Sequence, residues 1–393
     1  MIKAEITYIS DQQYPIEKAD SEQVINNVAA LANAGVKITL VIPRRWRTLG
    51  IRKEVRQQRI ADFYGVENSF QLKELLSLPL TRLRVEKYSH CLIAPFWAKF
   101  NGQDIVYTRH PLPALIALFL GINILFETYR NYSAHNTFFG KFLAKCARHP
   151  RFLGVITHSE LSRQSLEKLG IDREKIITIH NGFNPSHYNG GIRKHEARDQ
   201  LKLSRMIKMA SYAGRLDKEK GVDTLLDLAE RTPEVTYYLI GKSQQEPEEW
   251  IREAARGRGL NNVEYVPWVK ADKLVRYLKA SDVLLIPPTE KPLTKYGKTV
   301  LPLKLFLYLS AERPILAPSL PDILDVLNDE NAALVEPDNI EEAAAAVKKL
   351  FSDRAWADRL AKNARETSQN FTWARRAEKI LAFINHRMEA MGK

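Results

Sequence analysis

Short apolar runs alternate along the chain with longer segments whose apolar residues recur every three or four positions. Residues 2–10 (IKAEITYIS) read as a strand. Over 22–34, Val24, Ile25, Val28, Leu31 and Ala32 share one helical face, Gly35 supplies a stop, and 36–42 (VKITLVI) read as the next strand. Segments 105–107, 122–126 and 154–157 predict further short buried strands, with helices between them. The pattern then restarts. Strands are predicted at 207–213, 235–240, 263–266, 283–286 and 315–317. Helices are predicted at 222–231, 248–257, 273–279, 303–309, 340–351, 354–370 and 373–388. Alternation of this kind implies parallel sheets with crossover helices on both faces.

The polar stretch 184–197 separates two such series. It divides the chain into an N-terminal Rossmann-like domain (1–185), a C-terminal Rossmann-like domain (186–371) and a last helix (372–393) expected to cross back to the first. Two doubly wound domains point the carboxyl ends of their strands at a shared crevice, where ligands bind.

Composition narrows the class. With 393 residues, 45% hydrophobic and 27% charged, the chain suits two globular domains. The two cysteines, Cys91 and Cys146, lack the spacing of a disulfide framework or metal knuckle. No leader-like segment follows Met1. The most apolar stretch, 111–126, is interrupted by Pro113, Gly121 and Asn123, so the expected compartment is the cytoplasm. The net charge is +13, and residues 1–190 carry most of it, with 25 Lys and Arg against 16 Asp and Glu, which suggests an anionic partner on that half.

The segment 214–223 reads GRLDKEKGVD and follows the first strand of the second series. It resembles the G-R-L-x-x-E-K-G-x-D signature of glycosyltransferase family 4. Other segments fit the same family in order: 14–40, IHNGF at 179–183, SDVLLIP at 281–287, and PLKLFLYLSAERPILA at 302–317, similar to the P-L-K-L-F-E-Y helix of one branch. The resemblance implies a GT-B fold, two Rossmann-like domains facing a central cleft. It also implies a retaining, metal-independent transfer of a sugar, of hexosyltransferase type, from a UDP- or GDP-linked donor. The expected acceptor is a hydroxyl of a glycan or lipid-linked molecule, as in cell-surface polysaccharide or glycolipid assembly.

The residues agree with that chemistry. A diphosphate needs fixed cations and N–H donors where a strand opens into a turn. Arg215 follows Gly214, and Lys220 lies five residues on; the alternative is that both belong to a surface ion-pair texture in DKEK. By resemblance they hold the diphosphate and offset charge on the departing nucleotide. Gly241, Lys242 and Trp268 are expected to border the base, and Thr299, Leu301, Leu303 and Lys304 to meet the phosphate and sugar. No Asp-x-Asp and no His/Cys cluster of ligand spacing is present.

Three positions depart from the family pattern. Leu307 stands where a glutamate binds the ribose hydroxyls, and Thr299 where another contacts the sugar. Tyr129 replaces the histidine of an E-x-H at a strand end, with Glu127 matching the acid. A tyrosine donates hydrogen bonds but is a weak general base near neutrality. Glu127 and Tyr129 are expected in the cleft as catalytic residues; core packing is the alternative. The departures at Leu307 and Tyr129 keep a rival function open, a non-catalytic GT-B partner or regulatory subunit of a glycan assembly complex.

Residues 44–59 (RRWRTLGIRKEVRQQR) gather Arg44, Arg45, Arg47, Arg52, Lys53, Arg56 and Arg59 against Glu54. A solvated surface competes here with peripheral contact to anionic headgroups or a lipid-linked acceptor. With Trp46 as the stretch's one aromatic and no recognisable module, nucleic-acid binding is not expected.

Overall fold

A computed structural model of the chain describes residues 5–44, 50–76, 85–134, 136–188, 191–247, 249–296 and 301–392. It forms two compact units, Met1–Asn181 with Trp373–Lys393, and Gly182–Thr372.

Unit 1 is built on seven parallel strands: β1 (Ile6–Ile9), β2 (Ile38–Arg44), β3 (Gln71–Leu76), β4 (Ile105–Thr108), β5 (Asn123–Thr128), β6 (Phe152–Thr157) and β7 (Ile176–Thr178). Their order is β3-β2-β1-β4-β5-β6-β7. Every residue of β1, β4, β5 and β6 is buried, which is why these strands read as unbroken apolar runs rather than alternating ones. Helices Ala19–Asn33, Lys53–Tyr64 and Trp373–Glu389 cover one face through Val24, Ile25, Val28, Ile60, Ile380 and Ile384. Helices Val85–Phe100, Pro111–Phe119 and Thr137–Ala147 cover the other through Ala94, Ala98, Ala117 and Leu143. Each large buried aliphatic side chain contributes roughly 1.5–3 kcal/mol relative to exposure.

The C-terminal helix is fitted closely to the sheet. A Cβ added at Gly154 on β6 would lie 2.5 Å from Phe383 Cζ and 2.6 Å from Lys175 O, so only glycine permits this approach. Arg387 Nε donates to Leu153 O at 2.9 Å.

Unit 2 contains β8 (Met209–Ala213), β9 (Thr236–Ile240), β10 (Val263–Val266), β11 (Val283–Leu285), β12 (Ile315–Pro318) and β13 (Ala333–Val335), in the parallel order β10-β9-β8-β11-β12-β13. One face packs Leu278, Leu305, Phe306 and Leu309; the other packs Leu225, Leu228, Val347 and Leu360. The doubly wound α/β architecture expected from the alternation is present in both units. Both cysteines are free thiols. Elements outside the sequence reading include β3, β7 and β13, short strands at the ends of their sheet orders, and the helix Lys53–Tyr64, so rich in charge that it carries little apolar periodicity.

Candidate functional site

In unit 2 the strand-end glycines define a close backbone crossing. Gly214 follows β8 with φ +147°, and Gly241 follows β9 with φ +144°. Gly214 N donates to Ile240 O at 2.9 Å, and a Cβ on Gly241 would lie 1.9 Å from Gly214 O. Side chains are excluded here, and the backbone stays accessible to a ligand.

Lys304, the first residue of the helix Lys304–Ser310, reaches over this crossing. Its Nζ lies 3.5 Å from the centroid of the Tyr212 ring and would be 2.7 Å from a Cβ at Gly214. Burial, and then the positive charge of Lys220, push the Lys304 pKa well below the ordinary lysine value. Lys220 ends a 3-10 turn, and Gly221, at φ +73°, turns the chain into the helix Val222–Arg231. A Cβ on Gly221 would lie 2.1 Å from Thr289 Cγ2.

Arg215 pairs with Asp217 and, at 3.0 Å, with Glu219. Asp217 is wholly buried. It accepts from Ser243 Oγ (2.5 Å), Gln244 N (2.7 Å) and Gln245 N (3.2 Å). Burial opposes its charge, yet these donors and Arg215 hold its pKa below the usual carboxylate value. Asp217 therefore ties Arg215 to the turn after β9. The Tyr212 hydroxyl donates to Arg215 O at 2.8 Å, and Ala213 N donates to the Tyr308 hydroxyl at 2.7 Å. Neither Asp217 nor Tyr212 carries a local sequence signal for this role.

The other residues singled out from the sequence divide. Lys242 and Trp268 are exposed just beyond β9 and β10. Leu303 directly precedes Lys304, and Leu301 and Leu307 pack against the core. Leu307 thus presents a hydrocarbon side chain with no hydrogen-bonding capacity. Thr299 lies outside the described residues.

In unit 1, Glu127 departs from the expectation of a cleft carboxylate. It is wholly buried on β5 with both oxygens occupied. Oε1 meets Arg376 Nη2 (2.7 Å), Gln23 Nε2 (2.7 Å) and His158 Nε2 (2.5 Å), and Oε2 accepts from the Tyr107 hydroxyl (2.5 Å). Burial alone would raise its pKa; Arg376, His158 and Arg109 overcome that and hold it far below the usual value. Burial pushes the His158 imidazole down to about 4, so it is neutral near pH 7. Glu127 touches no solvent and acts by holding other groups. Tyr129, two residues on, is partly exposed, its ring 6.1 Å from that of His158. His110 serves locally: its Nδ1 caps the helix Pro111–Phe119 by accepting from Leu112 N.

The basic stretch is also corrected. Arg56 is buried, with Nε 2.6 Å from Glu74 and its guanidinium on Ile51 O, so it is unavailable to a headgroup. Arg52, Lys53 and Arg59 are exposed and Arg44 partly so; Arg45 and Arg47 lie outside the described residues. Among the described residues no three His, Cys, Asp or Glu side chains form a metal-holding group, and no helix is long and apolar enough to cross a membrane.

Two parallel doubly wound sheets, each packed with helices on both faces, are the architecture of the GT-B fold. Residues 193–367 match the family described as "Glycosyl transferases group 1", and residues 21–187 match "Glycosyltransferase Family 4". Between them the two matches span most of the chain, which belongs to this family. It is 23% identical over 247 residues to the uncharacterized glycosyltransferase MJ1607 of Methanocaldococcus jannaschii, covering 61% of each chain. The alignment thus spans less than two thirds of that relative's length. Among solved structures it resembles Anabaena HepE in complex with UDP-glucose (TM-score 0.72, 16% identity, 97% of this chain and 99% of that one). It also resembles sucrose-phosphate synthase from Thermosynechococcus elongatus (TM-score 0.76, 18% identity, 99% and 100%).

Proposed function

We propose that this chain transfers a sugar, with retention of anomeric configuration, from a UDP- or GDP-linked donor to a hydroxyl of a glycan or lipid-linked acceptor. The observation that carries this reading is the placement of Lys304. A half-buried ammonium over a glycine crossing, repelled by Lys220, is an unfavourable arrangement that an entering diphosphate relieves. Arg215, anchored by Asp217, adds a planar donor set for the same phosphates. Together the three cations offset charge on the leaving nucleotide, the service a metal would otherwise supply, so the transfer is proposed to run without one. HepE, solved with UDP-glucose, supports a uridine donor. With Leu307 in place of an acidic residue, ribose recognition falls to backbone groups and neighbouring side chains.

The acceptor is assigned to unit 1, near Tyr129. Peripheral membrane contact in the cytoplasm is part of the proposal. Its support is the outer face of helices Val85–Phe100 and Pro111–Phe119, which exposes Leu92, Ile93, Phe96, Phe100, Leu115 and Phe119. Phe100 and Phe119 are 85% and 89% exposed, and Lys99 lies beside them. Such a face lies on a bilayer rather than spanning it.

The test is donor turnover. The protein is incubated with UDP- and GDP-hexoses and candidate glycan or prenyl-linked acceptors; nucleotide release is followed, and the anomeric coupling of the product is read by NMR. Release with one donor and a product of unchanged configuration supports the reading. Nucleotide binding without turnover of any donor favours the non-catalytic partner, which the apolar Leu307 would suit.

A further inference from the structure

We propose that the carboxyl edge of the unit 1 sheet holds a site for a phosphate group carried by the acceptor, formed by Arg109, Arg130 and Tyr129. This deepens, and rests on, the assignment of the acceptor to unit 1.

Topology brings the three residues together. Arg109 follows β4, and Tyr129 and Arg130 follow the neighbouring β5, with Thr108 and Phe126 in register. The Arg109 guanidinium lies 5.1 Å from the centroid of the Tyr129 ring, and that of Arg130 lies 5.9 Å from it. Two cations thus share one partly exposed aromatic ring.

Positive charge exceeds negative at this edge, although the buried Glu127 carboxylate acts on Arg109. Among the described residues neither Arg109 nor Arg130 has a carboxylate within ion-pair distance. The nearest acid, Glu127, is taken by Arg376 at 2.7 Å, and its remaining capacity by His158, Gln23 and Tyr107. His158 contributes no charge near neutrality. Asp11 is paired with Lys87. Asp20 accepts from Gln12 Nε2 at 2.6 Å and acts on Arg109 only as the weakest of its charged neighbours. Two positive charges therefore remain for an anion.

Arg109 is also held in place. Its Nη1 donates to Gln23 Oε1 at 2.9 Å, and Gln23 Nε2 donates on to Glu127. The buried Glu127–Arg376 pair thereby fixes a guanidinium whose other N–H donors are not spent on protein acceptors. A fixed guanidinium fork, with a second guanidinium against the same aromatic ring, offers the charge and the N–H donors that a phosphate monoester or diphosphate takes. The phosphate belongs either to a soluble polyol or sugar phosphate or to a lipid-linked diphosphate, and the probes separate the two.

The experiment uses the full chain with saturating UDP, so that the donor edge is blocked, and repeats each titration in an Arg215→Ala, Lys304→Met background. Binding of glycerol phosphate (soluble source) and of farnesyl diphosphate (lipid-linked source) is measured calorimetrically for wild type, Arg109→Gln, Arg130→Gln and the double variant. We expect one probe to bind wild type and to weaken about tenfold in each single variant, with loss in the double variant. Arg130 is exposed, so Arg130→Gln reports on binding even if Arg109→Gln unfolds unit 1. Unchanged affinity in Arg130→Gln and the double variant, or no binding of either probe to wild type, overturns the site. Failure of UDP to bind sinks the donor assignment instead; the titrations in the Arg215→Ala, Lys304→Met background still decide the acceptor site.

Discussion

Arg376 on the C-terminal helix places its Nη2 2.7 Å from Oε1 of Glu127 on β5, with both side chains shut away from water. The same guanidinium donates to Asn27 Oδ1 (3.1 Å) and to the carbonyl of His180 (2.8 Å), so one residue of the returning chain ties together a helix, a strand and the end of the first segment of unit 1. Removing one partner of a buried pair strands the other, at a cost of about 3–5 kcal/mol. Arg376→Met is therefore expected to lower the melting temperature of unit 1 sharply. The double variant Glu127→Gln, Arg376→Met should recover part of the loss. A double variant no more stable than the single would show that packing, not charge pairing, dominates.

Stability should fall with acidity. Burial holds His90, His158 and His180 down to about 4, below the ordinary 6.5. In the unfolded chain each takes a proton as pH drops through its ordinary value, while the folded protein resists until about 4. The unfolded state thus binds more protons across that window, and stability is progressively lost from about pH 6.5 to about pH 4. Urea midpoints at pH 7, 6 and 5 should decline in that order; a flat profile would mean that these imidazoles are not held neutral.

The glycine crossing is expected to be intolerant of one added carbon. Gly241→Ala forces a Cβ to within 1.9 Å of a backbone oxygen at φ +144° and should cost at least about 1–3 kcal/mol while impairing nucleotide binding. Gly257→Ala, near the end of the helix Trp250–Gly257 with nothing within 4 Å of the new carbon, should be neutral or slightly stabilising. Comparable melting curves for the two variants would refute the crossing.

Lys304→Met should separate stability from binding. Removing a desolvated cation that faces Lys220 is expected to leave the ligand-free protein as stable as wild type or more so, while weakening nucleotide affinity about tenfold. Loss of stability with unchanged affinity would place Lys304 in the fold alone.

Much of the scaffold was legible in the sequence, because parallel strands buried on both faces leave continuous apolar runs and because glycines at strand ends stand out. Arg215 and Lys220 were legible through a long motif at a fixed place after β8. The side chain that anchors Arg215 was not. Asp217 occupies a variable position of that motif, and the groups that donate to it lie beyond the next strand. Glu127 read as a cleft acid through its match to the E-x-H of the family pattern, and a strand buried on both faces gives no alternation that would show where its side chain points. Its counter-ion stands 249 residues away, a pairing no local pattern encodes. Arg109 went unremarked for the same reason: it follows β4, whereas the ring it covers follows β5.

The proposed transfer depends most on the donor edge of unit 2. Its most direct test is a ligand-induced thermal shift with UDP, GDP and ADP on wild type and Arg215→Ala. A nucleotide at about 100 times its dissociation constant adds about 2.7 kcal/mol of stability. One nucleotide, UDP in the first instance, should raise the wild-type melting temperature, and Arg215→Ala should bind it about 10–100-fold more weakly. A cooperative wild-type melt that no nucleotide shifts, or an equal shift in Arg215→Ala, would contradict the assignment.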